Sequence, residues 1–409
     1  MKKISIGSTL TLPCGEVLSN RIAKSAMSEN LADRGHKPSI KFYNLYKKWV
    51  EGETGLLISG NIMVDHLFLG EPNNLVIDKD VNNFQEFKQF ARCTQNSKSK
   101  LWVQLNHPGK QIPKFLCKEP VAPSALPLKS PLDKVFNCPK ALTGIEIKNI
   151  INRFAYASKF VKDTGFHGVQ IHGAHGYLVS QFLSPIHNQR NDKWGGILEN
   201  RMRFVIEIYK AIRKEVGEKF PIGIKLNSAD FQKGGFSHED SVLVAEELSN
   251  LGIDLIEVSG GSYEKPIMMG TEKESTVKRE AYFLEYAADI KEKIKCPLMV
   301  TGGFRSSSFI KKTIESEKVD MVGLARTLVL NPNFSKEVIS EKESISLVKP
   351  LTTGFSTLDK IFPLEIIWYT NQIHRIANNK KIKNDYSVFS VIIKSIISTG
   401  FQSLKKLRF

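Results

Sequence analysis

Paired cysteines are missing from this chain. Its five cysteines, Cys14, Cys93, Cys117, Cys138 and Cys296, are scattered, odd in number and free of any C-x-x-C spacing. That excludes a zinc or iron–sulfur centre built on a cysteine cluster and favours reduced thiols in an intracellular protein. Long apolar runs are missing too: no window approaches the roughly 20 residues of a membrane helix. The basic start, MKKISIGSTLTLPCG, lacks the apolar core of a signal peptide. The expected location is therefore cytoplasmic. Acid is in short supply, with 42 Asp and Glu against 58 Lys and Arg, a formal net charge of +16. Because the basic residues are spread along the whole chain, a lysine-rich composition and phosphate-bearing cofactors account for the excess, and nucleic-acid binding is not expected.

What is present is a globular composition of 409 residues, 41% hydrophobic and 24% charged, enough for a core that stands without disulfides or metal. Short apolar segments read as buried parallel strands at 21–27, 55–60, 101–105, 168–171, 222–227, 254–259, 297–301 and 321–324. Helical patterns alternate with them at about 38–52, 81–99, 144–164, 199–216, 237–251, 280–295, 306–317 and 333–342. That alternation predicts a closed (β/α)8 barrel, the TIM-barrel class of α/β fold. An open dinucleotide-binding sheet is disfavoured, because no G-x-G-x-x-G follows Met27.

Two stretches fall outside the alternation. Residues 106–142 hold seven of the 17 prolines and read as a long excursion over the barrel mouth. Residues 343–409 form a helical C-terminal tail, so the expected division is a barrel domain at 1–342 and an extension at 343–409.

In such barrels the reacting groups sit at the C-terminal ends of the strands. Those ends read Ser25-Ala26-Met27-Ser28, Gly60-Asn61, Gln104, His172 to Tyr177, Lys225, Gly302-Gly303 and Ala325-Arg326. Two histidines three apart after a strand can aim N–H donors at one oxygen and stabilise charge that develops there. The same pair could also be a metal half-site or packing histidines, but no third ligand accompanies it. A tyrosine with an ordinary pKa near 10 is still protonated at neutral pH and can act as a general acid.

The segment QIHGAHGYLVSQFLSPIHNQRNDKWGGILENRMRF, from Gln170 to Phe204, closely resembles the Old Yellow Enzyme family of flavin-dependent ene-reductases. The family pattern H-x-A-[HN]-G-Y-L, F-L-x-P, N-x-R-x-D and G-G-x-x-E-N-R is met by His172, His175, Tyr177, Asn188, Arg190, Asp192, Gly195, Gly196, Glu199, Asn200 and Arg201. The resemblance spans roughly residues 3–340. It implies non-covalent FMN, NAD(P)H as reductant, and reduction of electron-poor C=C bonds, with no metal. In that reading Tyr177 donates the proton and His172 and His175 hold the activating oxygen. Ser25, Ala26, Met27, Ser28, Gly60, Gln104, Lys225, Gly302, Gly303, Ala325 and Arg326 are the expected FMN contacts.

The assignments have chemical sense. The Gln104 amide can both donate to and accept from the flavin pyrimidine edge. Lys225 puts a cation by flavin N1 and O2, where the reduced ring is negative, although arginine is common here in the family. Small residues at Gly302, Gly303 and Ala325 let backbone amides approach a phosphate, and Arg326 adds a charged fork. Ser28 stands where relatives carry cysteine or threonine, which keeps a hydrogen bond and removes thiol tuning. His107 and Lys110 read as loop-ordering.

Multi-domain dienoyl-CoA reductases and amine dehydrogenases of the same family carry a cysteine cluster and a further nucleotide-binding domain, and neither is expected here. The competing reading from another class is a basic scaffold, a membrane-surface or nucleic-acid-binding protein that kept a barrel. In the tail, 380–408 holds seven basic side chains, and 386–399 is expected to form a helix with one apolar face. Docking on the barrel is favoured for it over burial in a homo-oligomer, and contact with an anionic membrane is the least favoured. The loops expected to choose the substrate, 106–142, 260–280 and the tail, carry no signature that names it.

Overall fold

A computed structural model describes residues 4–265, 281, 283–349, 351, 353 and 364–383, with the single positions 388 and 393. Eight parallel strands close into a barrel. They are β1 (Ile22–Lys24), β2 (Leu56–Met63), β3 (Lys100–Asn106), β4 (Gly168–Gly173), β5 (Ile222–Asn227), β6 (Leu255–Ser259), β7 (Leu298–Thr301) and β8 (Met321–Leu324). Each pairs with its neighbours in chain order, and β8 closes on β1 with Val322 opposite Ile22. The outer ring is α1 (Ile40–Glu51), α2 (Phe84–Ala91), α3 (Gly144–Asp163), α4 (Arg203–Val216), α5 (His238–Asn250), α6 (Leu284–Lys293), α7 (Ser307–Glu315) and α8 (Phe334–Ile339). The expected barrel is the observed one.

Side chains alternate across the barrel wall with period two. Ile22, Leu57, Leu101, Val103, Ile224, Ile256 and Leu298 face outward and join one large apolar cluster with the helices. Their neighbours Ala23, Leu56, Trp102, Leu255, Met299 and Met321 face inward and form a second, smaller cluster. Trp102 fills the barrel because its neighbours are glycines: a Cβ on Gly168 would lie 2.6 Å from the indole nitrogen. An N-terminal hairpin, Leu10–Thr11 with Val17–Leu18, adds Leu10, Leu12 and Leu18 to this inner cluster. The sequence reading did not anticipate that hairpin.

One pleat further toward the C-terminal ends, the inward positions turn polar: Ser25, Gln104, Gln170, Lys225, Glu257 and Thr301 are all buried. An apolar plug supports a polar floor. Above it the 106–142 excursion adds the short parallel pair Val121–Ala122 and Lys140–Ala141.

Helix starts follow ordinary capping chemistry. The Thr143 hydroxyl accepts from the Glu146 amide while the Glu146 carboxylate accepts from the Thr143 amide, a capping box that opens α3. The tail contributes α9 (Leu364–Ala377), whose Trp368, Tyr369 and Ile373 are buried. It lies against α1, where Asn44 Nδ2 donates to the Ala377 carbonyl at 3.4 Å. All of the helix expected at 386–399 but positions 388 and 393, most of the basic run 380–408 and much of the 260–280 loop lie outside the described residues. Among the described residues, no helix is long and apolar enough to cross a membrane.

Candidate active site

A cavity of about 320 Å³ opens at the C-terminal ends of the strands. Ala26, Met27 and Ser28 from β1, His175 and Tyr177 from β4, Lys225 from β5, Gly302 and Gly303 from β7, and Ala325 and Arg326 from β8 all line it. The structure thus brings together ten of the predicted residues from five different strands. Four lie just outside. Ser25 is in the floor, its hydroxyl 2.7 Å from that of Thr301. Gln104 is also in the floor, donating to Gln170 Oε1 at 2.8 Å. His172 is buried behind His175 and Tyr177, with ring centroids 5.2 and 4.8 Å away. Gly60 sits at an irregularity in the β2–β3 ladder and turns its amide to the Glu29 carboxylate, at 2.9 and 3.1 Å. A side chain there would strike Glu29 Oε2 at 2.2 Å, so the glycine is sterically required in this arrangement.

The turn after β4 aims the histidine. His175 has φ of +62°, in the left-handed region that a non-glycine residue adopts only when its surroundings hold it. Its amide donates to Asn227 Oδ1 at 3.1 Å, its carbonyl accepts from Gln111 Nε2 at 2.9 Å, and its ring Nε2 lies 2.9 Å from the Ser259 hydroxyl. Gln181 Nε2 donates to the next carbonyl, that of Gly176, at 2.7 Å. Gln111 and Pro108, which also accepts from Gln181, belong to the proline-rich excursion, so that excursion orders the turn after β4.

Burial pushes both imidazoles well below the ordinary histidine range, with Lys225 adding to the effect. They are neutral at pH 7. The Ala174 amide donates to His172 Nδ1 at 3.4 Å, which leaves Nε2 as its N–H donor. Burial likewise pushes the Tyr177 hydroxyl well above 10, with the neighbouring Tyr263 acting in the same direction. Tyr177 therefore keeps its proton, 2.9 Å from the Tyr263 oxygen.

Several partners were not visible from sequence. Glu71 lines the cavity and bonds to the Ser28 hydroxyl; burial raises its carboxyl pKa. Tyr263 lines it as well, from the end of β6, a position the strand-end rule could have flagged. Glu257 lies in β6 directly opposite Lys225, and the two form an ion pair at 2.9 Å. An acid inside LIEVS, in register with a buried lysine, was the available signal. Arg326 is paired with Glu365 of α9, and Glu365, Tyr369 and Ile373 form part of the wall. The tail was expected to help choose the substrate, and Tyr369 to pack on the barrel's end or lean toward its mouth; Tyr369 does line the cavity, whereas Glu365 was not singled out.

His107 and Lys110, expected to order loops, are buried. Lys110 Nζ donates to the Leu126 carbonyl at 2.9 Å and lies 3.1 Å from His187 Nδ1. Asp65, His66 and Asp78 also converge. Arg153 reaches both carboxylates, at 3.2 Å to Asp65 and 2.5 Å to Asp78, so the group already carries its counter-charge.

The model of the NADH:flavin oxidoreductase / NADH oxidase family matches residues 12–344. The NADH-dependent flavin oxidoreductase iliE of Hypocrea jecorina is 36% identical over 367 residues, 84% of this chain and 91% of that one. The NADH oxidase of Thermoanaerobacter brockii is 32% identical over 326 residues, 78% of this chain and 48% of its own length. Among solved structures, 2-naphthoyl-CoA reductase superposes with a TM-score of 0.77 at 25% identity, covering 83% of this chain and 53% of that one. Morphinone reductase superposes at 0.72 with 21% identity, covering 85% and 92%, a likeness of fold.

The chain belongs to this family, the Old Yellow Enzyme family of flavin oxidoreductases. It is an oxidoreductase that uses FMN with NAD(P)H as reductant. The donor set fits that cofactor. Gly302 and Gly303, with φ of +121° and +81°, line the same cavity as two cations, Arg326 and Lys225. Gly323 lets the Thr301 and Ser25 hydroxyls of the floor come close to the β8 backbone, since a Cβ there would lie 1.9 Å from Thr301 Oγ1. Phosphate suits the first group of donors, and an electron-rich ring edge suits Lys225.

Proposed function

We propose that this enzyme reduces the C=C bond of small electron-poor alkenes, such as enones and nitroalkenes, with NADH as the expected electron source. FMN supplies the hydride. The rest is done by side chains of this chain. His175 on the cavity wall, with the neutral His172 buried behind it, would offer N–H donors to the carbonyl or nitro oxygen and stabilise the charge that gathers there as hydride reaches the β-carbon. Tyr177 then gives its hydroxyl proton to the α-carbon, so that one hydride and one proton complete the reduction. Backbone at Gly302, Gly303 and Ala325, with Arg326, would hold the FMN phosphate, while Gln104 and Lys225 would serve the pyrimidine end. The observation that carries the reading is the Tyr177 hydroxyl. It is on the cavity wall, kept protonated by burial, next to two neutral histidines on the same turn.

The test separates the two half-reactions. Tyr177→Phe should leave FMN retention and flavin reduction by NADH close to wild type and slow reoxidation by cyclohexenone by about 10²–10⁴-fold. Nitroalkenes should suffer less, because their nitronate product can leave unprotonated. An unchanged rate with cyclohexenone in stopped flow would remove Tyr177 from the chemistry.

A further inference from the structure

Glu257 has no part in the reaction just described, yet it is the centre of the polar floor. Its carboxylate is fully buried. Oε1 accepts from Lys225 at 2.9 Å and from the Thr301 hydroxyl at 2.7 Å, and Oε2 accepts from Gln170 Nε2 at 2.7 Å. A carboxylate can only accept, so it dictates which way the Gln170 amide points. Gln170 gives its NH2 group to Glu257 and keeps its oxygen for Gln104 Nε2, at 2.8 Å. Gln104 in turn has its amino group committed and its carbonyl oxygen to offer. One acid therefore orients both residues assigned to the pyrimidine end, Lys225 directly and Gln104 through Gln170.

The same carboxylate sets the local charge. Lys225 is 3% exposed and Glu257 is fully buried, so water screens neither well. A lone cation at the N1–O2 edge favours the reduced, negatively charged ring; a carboxylate paired to that cation opposes it. We propose that Glu257 is the positioning residue of the flavin floor and lowers the reduction potential of the bound FMN by neutralising Lys225 and fixing the polarity of the Gln170–Gln104 relay. A lower potential makes hydride delivery to weakly activated acceptors more favourable. The proposal rests on the assignment of Lys225 to the flavin edge.

Dye-coupled equilibrium titration of the FMN-loaded, full-length protein tests it. Glu257→Gln should hold reduced FMN at least about tenfold more tightly relative to oxidised FMN, a rise of about 30 mV for this two-electron couple. A residue that only packs the barrel would lower the melting temperature and leave the potential unmoved, and that result overturns the proposal. If Glu257→Gln fails to fold around its unpaired ammonium, Lys225→Gln and the double variant Lys225→Gln/Glu257→Gln replace it. The double variant should have the higher potential, since only the single one retains a bare carboxylate; equal potentials overturn the proposal. The two layers of the argument fail separately. Wild-type potential in Lys225→Gln defeats the Lys225 assignment and the proposal together. A fall in Lys225→Gln with no change in Glu257→Gln defeats the proposal alone.

Discussion

Two lysine–glutamate pairs are buried in this barrel wall, one on each face, and they are built differently. On the outer face, Lys24 of β1 lies between the barrel and α1. Its Nζ donates to the Ile58 carbonyl at 2.8 Å, to the Tyr46 hydroxyl at 3.1 Å and to Glu29 at 3.4 Å. The Tyr46 and Trp49 rings stand 4.9 and 4.8 Å from the ammonium. Burial pushes its pKa down to about 8 against the pull of Glu29. All three N–H donors are spent on the protein, and Lys24 does not reach the cavity. On the inner face, Lys225 pairs with Glu257 and also lines the cavity. The outer pair is closed, while the inner one borders a space meant for a ligand. The same pairing is closed off by packing in one place and faces the cavity in the other, because alternation along a strand decides which side of the wall a residue sees.

The largest expected effect lies on the closed pair. Lys24→Met removes the cation and leaves Glu29 buried without it, which should cost about 3–5 kcal/mol in urea unfolding. The flavin potential should move less than in Glu257→Gln. A stability loss under about 1 kcal/mol, or the larger potential shift, would break the distinction between the two pairs.

A smaller change strikes the inner face through its wall. The added methyl of Gly323→Ala would lie 1.9 Å from Thr301 Oγ1 and 2.3 Å from Ser25 Oγ. Overpacking of that kind typically costs about 1–3 kcal/mol. It should also displace the Thr301 hydroxyl from Glu257 and weaken FMN retention, read by flavin fluorescence on dilution. A variant with normal stability and normal FMN retention would mean that the floor is softer than its contacts suggest.

The mildest probe per residue is acid. Burial holds His172 and His175 well below 6.5, and His107 and His187 down at about 3. The unfolded chain therefore takes up protons first. Their contribution to stability is complete above pH 6.5 and falls as pH drops below it toward the folded values. Each histidine can contribute up to about 1.4 kcal/mol per pH unit in that window. Denaturant curves at pH 7 and 5.5 should differ accordingly; identical curves would show that these imidazoles are solvated.

Much of this architecture was legible in sequence. The strand expected at 222–227 is Ile222–Asn227, and the one at 321–324 is Met321–Leu324. Short apolar runs bounded by helical patterns leave few alternatives. The strand expected at 55–60 instead runs to Met63, because the chain passes through an irregularity between Ile58 and Asn61 that no composition rule marks. The cluster of His172, His175 and Tyr177 was visible because it sits within one turn. Glu71 and Glu365 were not, since each reaches the cavity from a segment remote in sequence; Tyr263, just past the end of β6, was overlooked although its place near a strand end was readable.

By itself the sequence determined the barrel, the family and the ends of the strands where chemistry gathers. Those depend on local pattern, and local pattern is written along the chain. Only the tertiary structure decided which charges are partners. Lys225 meets Glu257 through strand register, and Arg326 meets Glu365 because the tail helix α9 folds back over the rim. Both contacts join residues more than 30 positions apart. Their strength depends on burial, which no single position of the chain records.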